Sequence, residues 1–203
     1  MIRRCLFFLF FLTSIALSPF SKASFVEGLS AQDLITLKGF FESIPRASSL
    51  VVHEGLPHPG WEQDLFKAEM ANKEVIRIHD YPFYKRPLEI AAADVEALRI
   101  LSAEQSNLIH SRGRKMCGGY HPDYCLTWKA GETTYHMLLC LGCSEAKIFG
   151  PGVEWYGDIF RGRHPKFQKL LIKYRWQRPA KQLPKAAPVQ TAHHARQCVK
   201  VAL

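Results

Sequence analysis

Residues 115–150 read KMCGGYHPDYCLTWKAGETTYHMLLCLGCSEAKIFG, and this stretch decides how the chain is understood. It holds four of the six cysteines and two of the nine histidines. Apolar and polar residues alternate along it, the mark of half-buried β-strands. Tyr124, Leu126 and Trp128 point one way and Cys125 and Thr127 the other. A tight turn at Ala130-Gly131 pairs Lys129 with Glu132, Trp128 with Thr133, Leu126 with Tyr135, Tyr124 with Met137, Cys125 with His136 and His121 with Cys140. A second two-residue turn at Leu141-Gly142 sets Cys140 opposite Cys143 and Met137 opposite Ala146.

Both turns sort the side chains into the same two faces. The apolar face carries Tyr124, Leu126, Trp128, Tyr135, Met137, Leu139, Ala146 and Ile148. The other gathers His121, Asp123, Cys125, Thr127, Thr134, His136, Cys140, Cys143, Glu145 and Lys147, with Leu138 the apolar exception. A slip of one residue would mix the faces.

Working outward, helical spacing of Leu34, Leu37, Phe40, Phe41 and Ile44 follows a Ser30 cap and ends at Pro45. Residues 49–54 and 75–78 read as strands, 61–72 as a helix, and 80–84 as an aromatic loop. Asp94 is expected to cap a helix carrying Val95, Leu98 and Leu101, and residues 108–111 an edge strand. Trp155, Tyr156, Ile159 and Phe160 suggest a short helix or aromatic flap before a last helix over 164–176. The layout is α+β: a central antiparallel sheet of about four to five strands with helices mainly on one face.

The ends differ in character. Arg3 and Arg4 precede an apolar run over 5–17, and Ser21-Lys22-Ala23 offers a cleavage site, so residues 1–23 read as a signal peptide. Export to the periplasm or outside the cell is expected, with no transmembrane segment in the mature chain. Residues 178–203 are basic and rich in Pro, Ala, Lys and Gln, the composition of a disordered tail. The net charge of +9 is concentrated in these two ends. Residues 24–177, the single expected domain, are nearly neutral, which argues against a nucleic-acid partner.

Four chemistries compete for the cysteine–histidine stretch. Cys140 and Cys143 on a tight turn, with Cys117 and His121, form a set that can hold zinc. An oxidising compartment instead favours disulfides: Cys117 with Cys140 or Cys143, Cys125 with whichever is free, or Cys140 with Cys143. Covalent haem needs CxxCH and is not supported, because Ser144 stands where the histidine belongs. Cys125 beside His136, with Asp123 on the same face, has the residue types for nucleophilic catalysis. His58 lies in a proline- and glycine-rich loop that holds it in few conformations. No P-loop, dinucleotide fingerprint, serine elbow or HExxH motif is present. The expected function is a small binding or interaction domain of the cell envelope, its Cys/His cluster held by disulfides or a metal. Its partner would be an envelope protein or a small ligand. A metal-assisted or cysteine-dependent enzyme is the alternative.

Overall fold

The computed structural model describes residues 28–111, 113, 115 and 118–179. The signal-peptide reading of 1–23, Cys117, and the tail beyond residue 179 lie outside the described residues. Helices are α1 (Ala31–Ser43), α2 (Gln63–Asn72), α3 (Ala92–Ala103) and α4 (His164–Leu171). Strands are β1 (Ser49–Glu54), β2 (Val75–Ile78), β3 (Tyr81–Tyr84), β4 (Leu108–His110), β5 (Tyr124–Ala130), β6 (Thr133–Cys140), β7 (Glu145–Gly150) and β8 (Val153–Ile159). Six strands form one antiparallel sheet in the order β1-β5-β6-β7-β8-β4, and β2 and β3 form a separate hairpin. The fold is α+β, as expected, with a larger sheet. No helix among the described residues is long and apolar enough to cross a membrane.

All eight residues of the expected apolar face are buried in one cluster. Helix α1 adds Leu37, Phe40 and Phe41, α3 adds Leu98, and α4 adds Phe167 and Leu171. Each such large apolar side chain contributes roughly 1.5–3 kcal/mol on burial. Helix α1 starts where the sequence says: Ser30 and Asp33 form a reciprocal capping box.

The register differs from expectation by two residues at both turns. Ala130 pairs with Thr133 around a Gly131-Glu132 loop, and Cys140 pairs with Glu145 around a four-residue turn, Leu141 to Ser144. A shift of two preserves which face each side chain takes but changes its neighbour. Cys125 therefore faces Leu138, His136 faces Thr127 and Phe149, and Cys140 does not face Cys143.

The reverse face is covered too. The β2–β3 hairpin lays Phe83 against Cys125 and Leu138 in a second, smaller cluster. Lys147 pins it, donating to the Tyr81 hydroxyl at 2.8 Å while its ammonium lies about 5 Å from the Tyr81, Tyr120 and Tyr156 rings. Residues 81–84 are thus a strand, not a loop. Trp155 and Tyr156 lie in β8, not in a helix or flap, with Trp155 inward and Tyr156 outward. The α3 N-cap is Ala91, and Asp94 sits in the first turn. The last helix ends at Leu171 and continues as a 3-10 turn through Tyr174.

Candidate functional site

The site is built where the end of β1 meets the start of β5. After Glu54, Gly55 donates its N–H to the Asp123 carbonyl at 2.8 Å. A Cβ on Gly55 would sit 2.0 Å from the Pro122 carbonyl oxygen, so only glycine allows this approach. The loop that follows carries His58 onto the segment holding His121 and Asp123. His121 Nε2–H donates to the Leu56 carbonyl at 2.7 Å, which leaves Nδ1 as its lone-pair nitrogen. The His58 and His121 rings lie 4.9 Å apart, centre to centre.

His58 is held from its other side. Its backbone N–H donates to Glu62 Oε2 at 3.0 Å, and its Nδ1 accepts the N–H groups of Gly60 (3.0 Å) and Trp61 (3.1 Å). In the neutral ring the proton must then sit on Nε2. That nitrogen is buried and has no hydrogen-bond partner.

Arg178 closes the site. Its side chain is only 9% exposed, with NH1 donating to Asp123 Oδ1 at 2.8 Å and NH2 to Glu62 Oε2 at 2.6 Å. Asp123 Oδ2 meanwhile accepts the Leu141 N–H at 2.7 Å. The backbone N–H groups of Trp176, Gln177 and Arg178 all donate to the buried Glu54 carboxylate. Burial raises the Glu54 pKa, opposed by those amides and by Arg175. Arg178, which composition assigns to a disordered tail, is thus bound into the fold by two partly buried ion pairs.

These groups enclose a cleft of about 210 Å³ lined by His58, Trp61, His121, Asp123, Cys140, Gly142, Cys143 and Arg178. Four residues singled out from sequence as zinc ligands or cluster members, His121, Asp123, Cys140 and Cys143, therefore share one cavity with His58. Burial pushes the His121 pKa down to about 4, so its ring is neutral at physiological pH. Burial pushes the Cys140 thiol up to about 11, against the backbone N–H groups of His121 and Cys143 that point at its sulfur.

Among the described residues Cys125 and Cys140 are free thiols, and Cys143 is not one of them. The potential metal-ligand atoms that converge belong to Cys140, Cys143 and Glu145, all within 4.8 Å of one another. Glu145, rather than His121, is the third member of that group. It is buried, accepts the Tyr156 hydroxyl at 2.6 Å, and has Lys115 Nζ 3.8 Å away.

Cys125 and His136 do not come together as a catalytic pair. Cys125 is fully buried in the second cluster, and burial pushes its thiol up to about 12. His136 instead meets His79, with Nδ1 and Nε2 2.6 Å apart. Burial lowers the pKa of both rings.

Sequence reasoning missed Glu62, Arg178 and His79. Glu62 had a signal, standing one helical turn beyond His58; Arg178 was masked by its basic surroundings. His79 sits at φ +48° in the hairpin turn, a conformation its residue type does not announce. Compared with protein-family models, curated proteins and solved structures, the chain matches none.

Proposed function

We propose that the chain is an exported binding domain of the cell envelope and that the His58–His121 cleft holds its ligand. The observation that carries this reading is the His58 Nε2–H, buried without an acceptor. An unpaired buried donor costs on the order of 1–3 kcal/mol unless something fills the place. What fills it must accept a hydrogen bond, which selects a carboxylate or carbonyl oxygen. Arg178 Nε is likewise buried without a partner, and His121 Nδ1 has a lone pair in the same cleft. At about 210 Å³ the cleft is smaller than the ~300–1,000 Å³ typical of drug-sized ligands. It suits a small acid or the end of a peptide better than a cofactor.

A disulfide from Cys143 to Cys117 would brace the rim. Lys115, two residues before Cys117 in sequence, donates to the Cys143 carbonyl at 2.6 Å. Oxidation also removes Cys143 as a thiolate ligand, which speaks against a metal at Cys140, Cys143 and Glu145.

Imidazole NMR of the mature wild-type protein, titrated with acetate and N-acetylglycine, tests the ligand class. A saturable shift of the His58 Nε2–H is expected and should vanish in Arg178→Gln. If neither probe moves that resonance, the reading fails. Intact mass with thiol counting should give a chain starting at Ser24 with one disulfide. A stoichiometric metal with a free Cys143 would favour the metal-assisted alternative instead.

A further inference from the structure

On the face of the sheet away from α1, α3 and α4, we propose a second site: His79 and His136 together bind a divalent transition-metal ion of the zinc class.

The two imidazoles come from different units. His136 projects from β6, in register with Thr127 and Phe149. His79 is delivered by the turn of the β2–β3 hairpin, where it and Asp80 take φ values of +48° and +67°. Residues other than glycine adopt that conformation at a cost, so the turn is held there by its surroundings. One element of that support is visible: the His79 ring stacks on Phe149 at 3.9 Å, nearly parallel, with a 10° angle between planes. This fixes the ring plane and aims Nε2 at His136 Nδ1, 2.6 Å away.

Two ring nitrogens pointing at one another are already most of the way to sharing an ion. Zinc–nitrogen bonds of about 2.0–2.1 Å in tetrahedral geometry need the nitrogens roughly 3.3 Å apart. Opening the pair by less than about 1 Å provides that spacing. At present one nitrogen carries the proton of the hydrogen bond. Entry of the ion moves that proton to the ring's other nitrogen, so both rings stay neutral and both shared nitrogens present lone pairs. His79 is exposed, which gives the ion access and leaves coordination positions for water. Asp80 follows His79 in the chain and Glu154 pairs with Phe149, so two carboxylates lie close by to offset the ion's charge.

The effect of binding would be mechanical. An ion held by one ligand from the hairpin and one from the main sheet ties the two together over the second core, in which Phe83 covers Cys125 and Leu138.

The test is zinc titration of the mature wild-type chain, followed by imidazole NMR and by the thermal midpoint. Expected are shifts of the His79 and His136 resonances together and a rise in the midpoint with zinc. His136→Gln and His79→Asn, the latter tolerant of positive φ, should each weaken binding at least tenfold. Cys140→Ser should leave it unchanged. Wild-type resonances of His79 and His136 that do not respond to zinc would overturn the proposal without recourse to any variant. So would binding that Cys140→Ser abolishes, since the ion would then sit at the thiol group.

Discussion

The indole N–H of Trp155 donates to Asp33 Oδ1 over 2.8 Å, joining the cap of α1 to the middle of β8. The same carboxylate accepts the Ser30 N–H and hydroxyl at 2.8 and 2.7 Å, and faces His110 Nδ1 at 2.8 Å. Burial alone would raise its pKa; the bonds from Ser30, Trp155 and His110 outweigh this and lower it. Asp33→Ala removes the carboxylate half of the capping box and leaves a buried indole N–H unpaired, a loss of about 2–4 kcal/mol. Because the folded pKa is depressed, the carboxylate's contribution is present above the ordinary aspartate pKa of 3.8 and lost as pH falls through the lower folded value. Urea unfolding of wild type and Asp33→Ala at several pH values measures both.

His121 acts in the same direction but in a higher pH window. Its folded pKa of about 4, set chiefly by burial, lies below the ordinary 6.5. The unfolded chain therefore takes up its proton first, and stability falls as pH drops from 6.5 towards 4, then levels off. The loss attributable to this ring is at most about 3 kcal/mol. His121→Gln should flatten the slope of stability against pH in that window, as read by denaturant midpoints.

Arg178 is predicted to be essential to the cleft. Arg178→Ala leaves Asp123 and Glu62 as partly buried carboxylates without their shared partner, at a cost of about 3–5 kcal/mol. Arg178→Lys should rescue little, since an ammonium cannot reproduce the planar fork that serves two carboxylates at once. Thermal midpoints of the two variants, set beside Arg175→Ala, check this.

The two free thiols among the described residues are predicted to be inert in the native state. With thiol pKa values pushed up to about 12 at Cys125 and about 11 at Cys140, almost no thiolate exists at pH 8, and both residues are buried. A thiol reagent should leave both unmodified in buffer and label both in urea, as mapped by peptide mass. Native labelling of Cys125 at pH 8 would contradict the closed second core.

What could be read in the sequence was parity. Alternation told which face Tyr124, Met137 or Ile148 takes, because that depends only on odd and even positions. It could not tell which partner each meets, because that depends on loop length. Gly131 was correctly a turn residue, at φ +60°, but it opens the two-residue loop rather than closing it. That displacement separated Cys125 from His136 and dissolved the catalytic pair. β3 was hidden by Pro82, which suits a short hairpin strand paired on one side but argues against a strand in general. In β8 Val153, Trp155 and Gly157 alternate with Glu154 and Tyr156, but the adjacent aromatic pair Trp155-Tyr156 breaks the simple apolar–polar pattern. The cleft depends on contacts between residues more than fifty positions apart, such as Asp123 with Arg178 and His121 with Leu56. Local pattern carries no information about such pairs.

The clasp of Glu54 around residues 176–178 also bears on biosynthesis. Strand β1 leaves the ribosome more than a hundred residues before the amides that satisfy its buried carboxylate. Until then Glu54 needs water, and Asp123 and Glu62 lack the guanidinium that joins them. A fragment that stops short of residue 176 lacks the groups that close the cleft. The cleft proposed to hold a ligand therefore closes only when residues 176–178 join the fold.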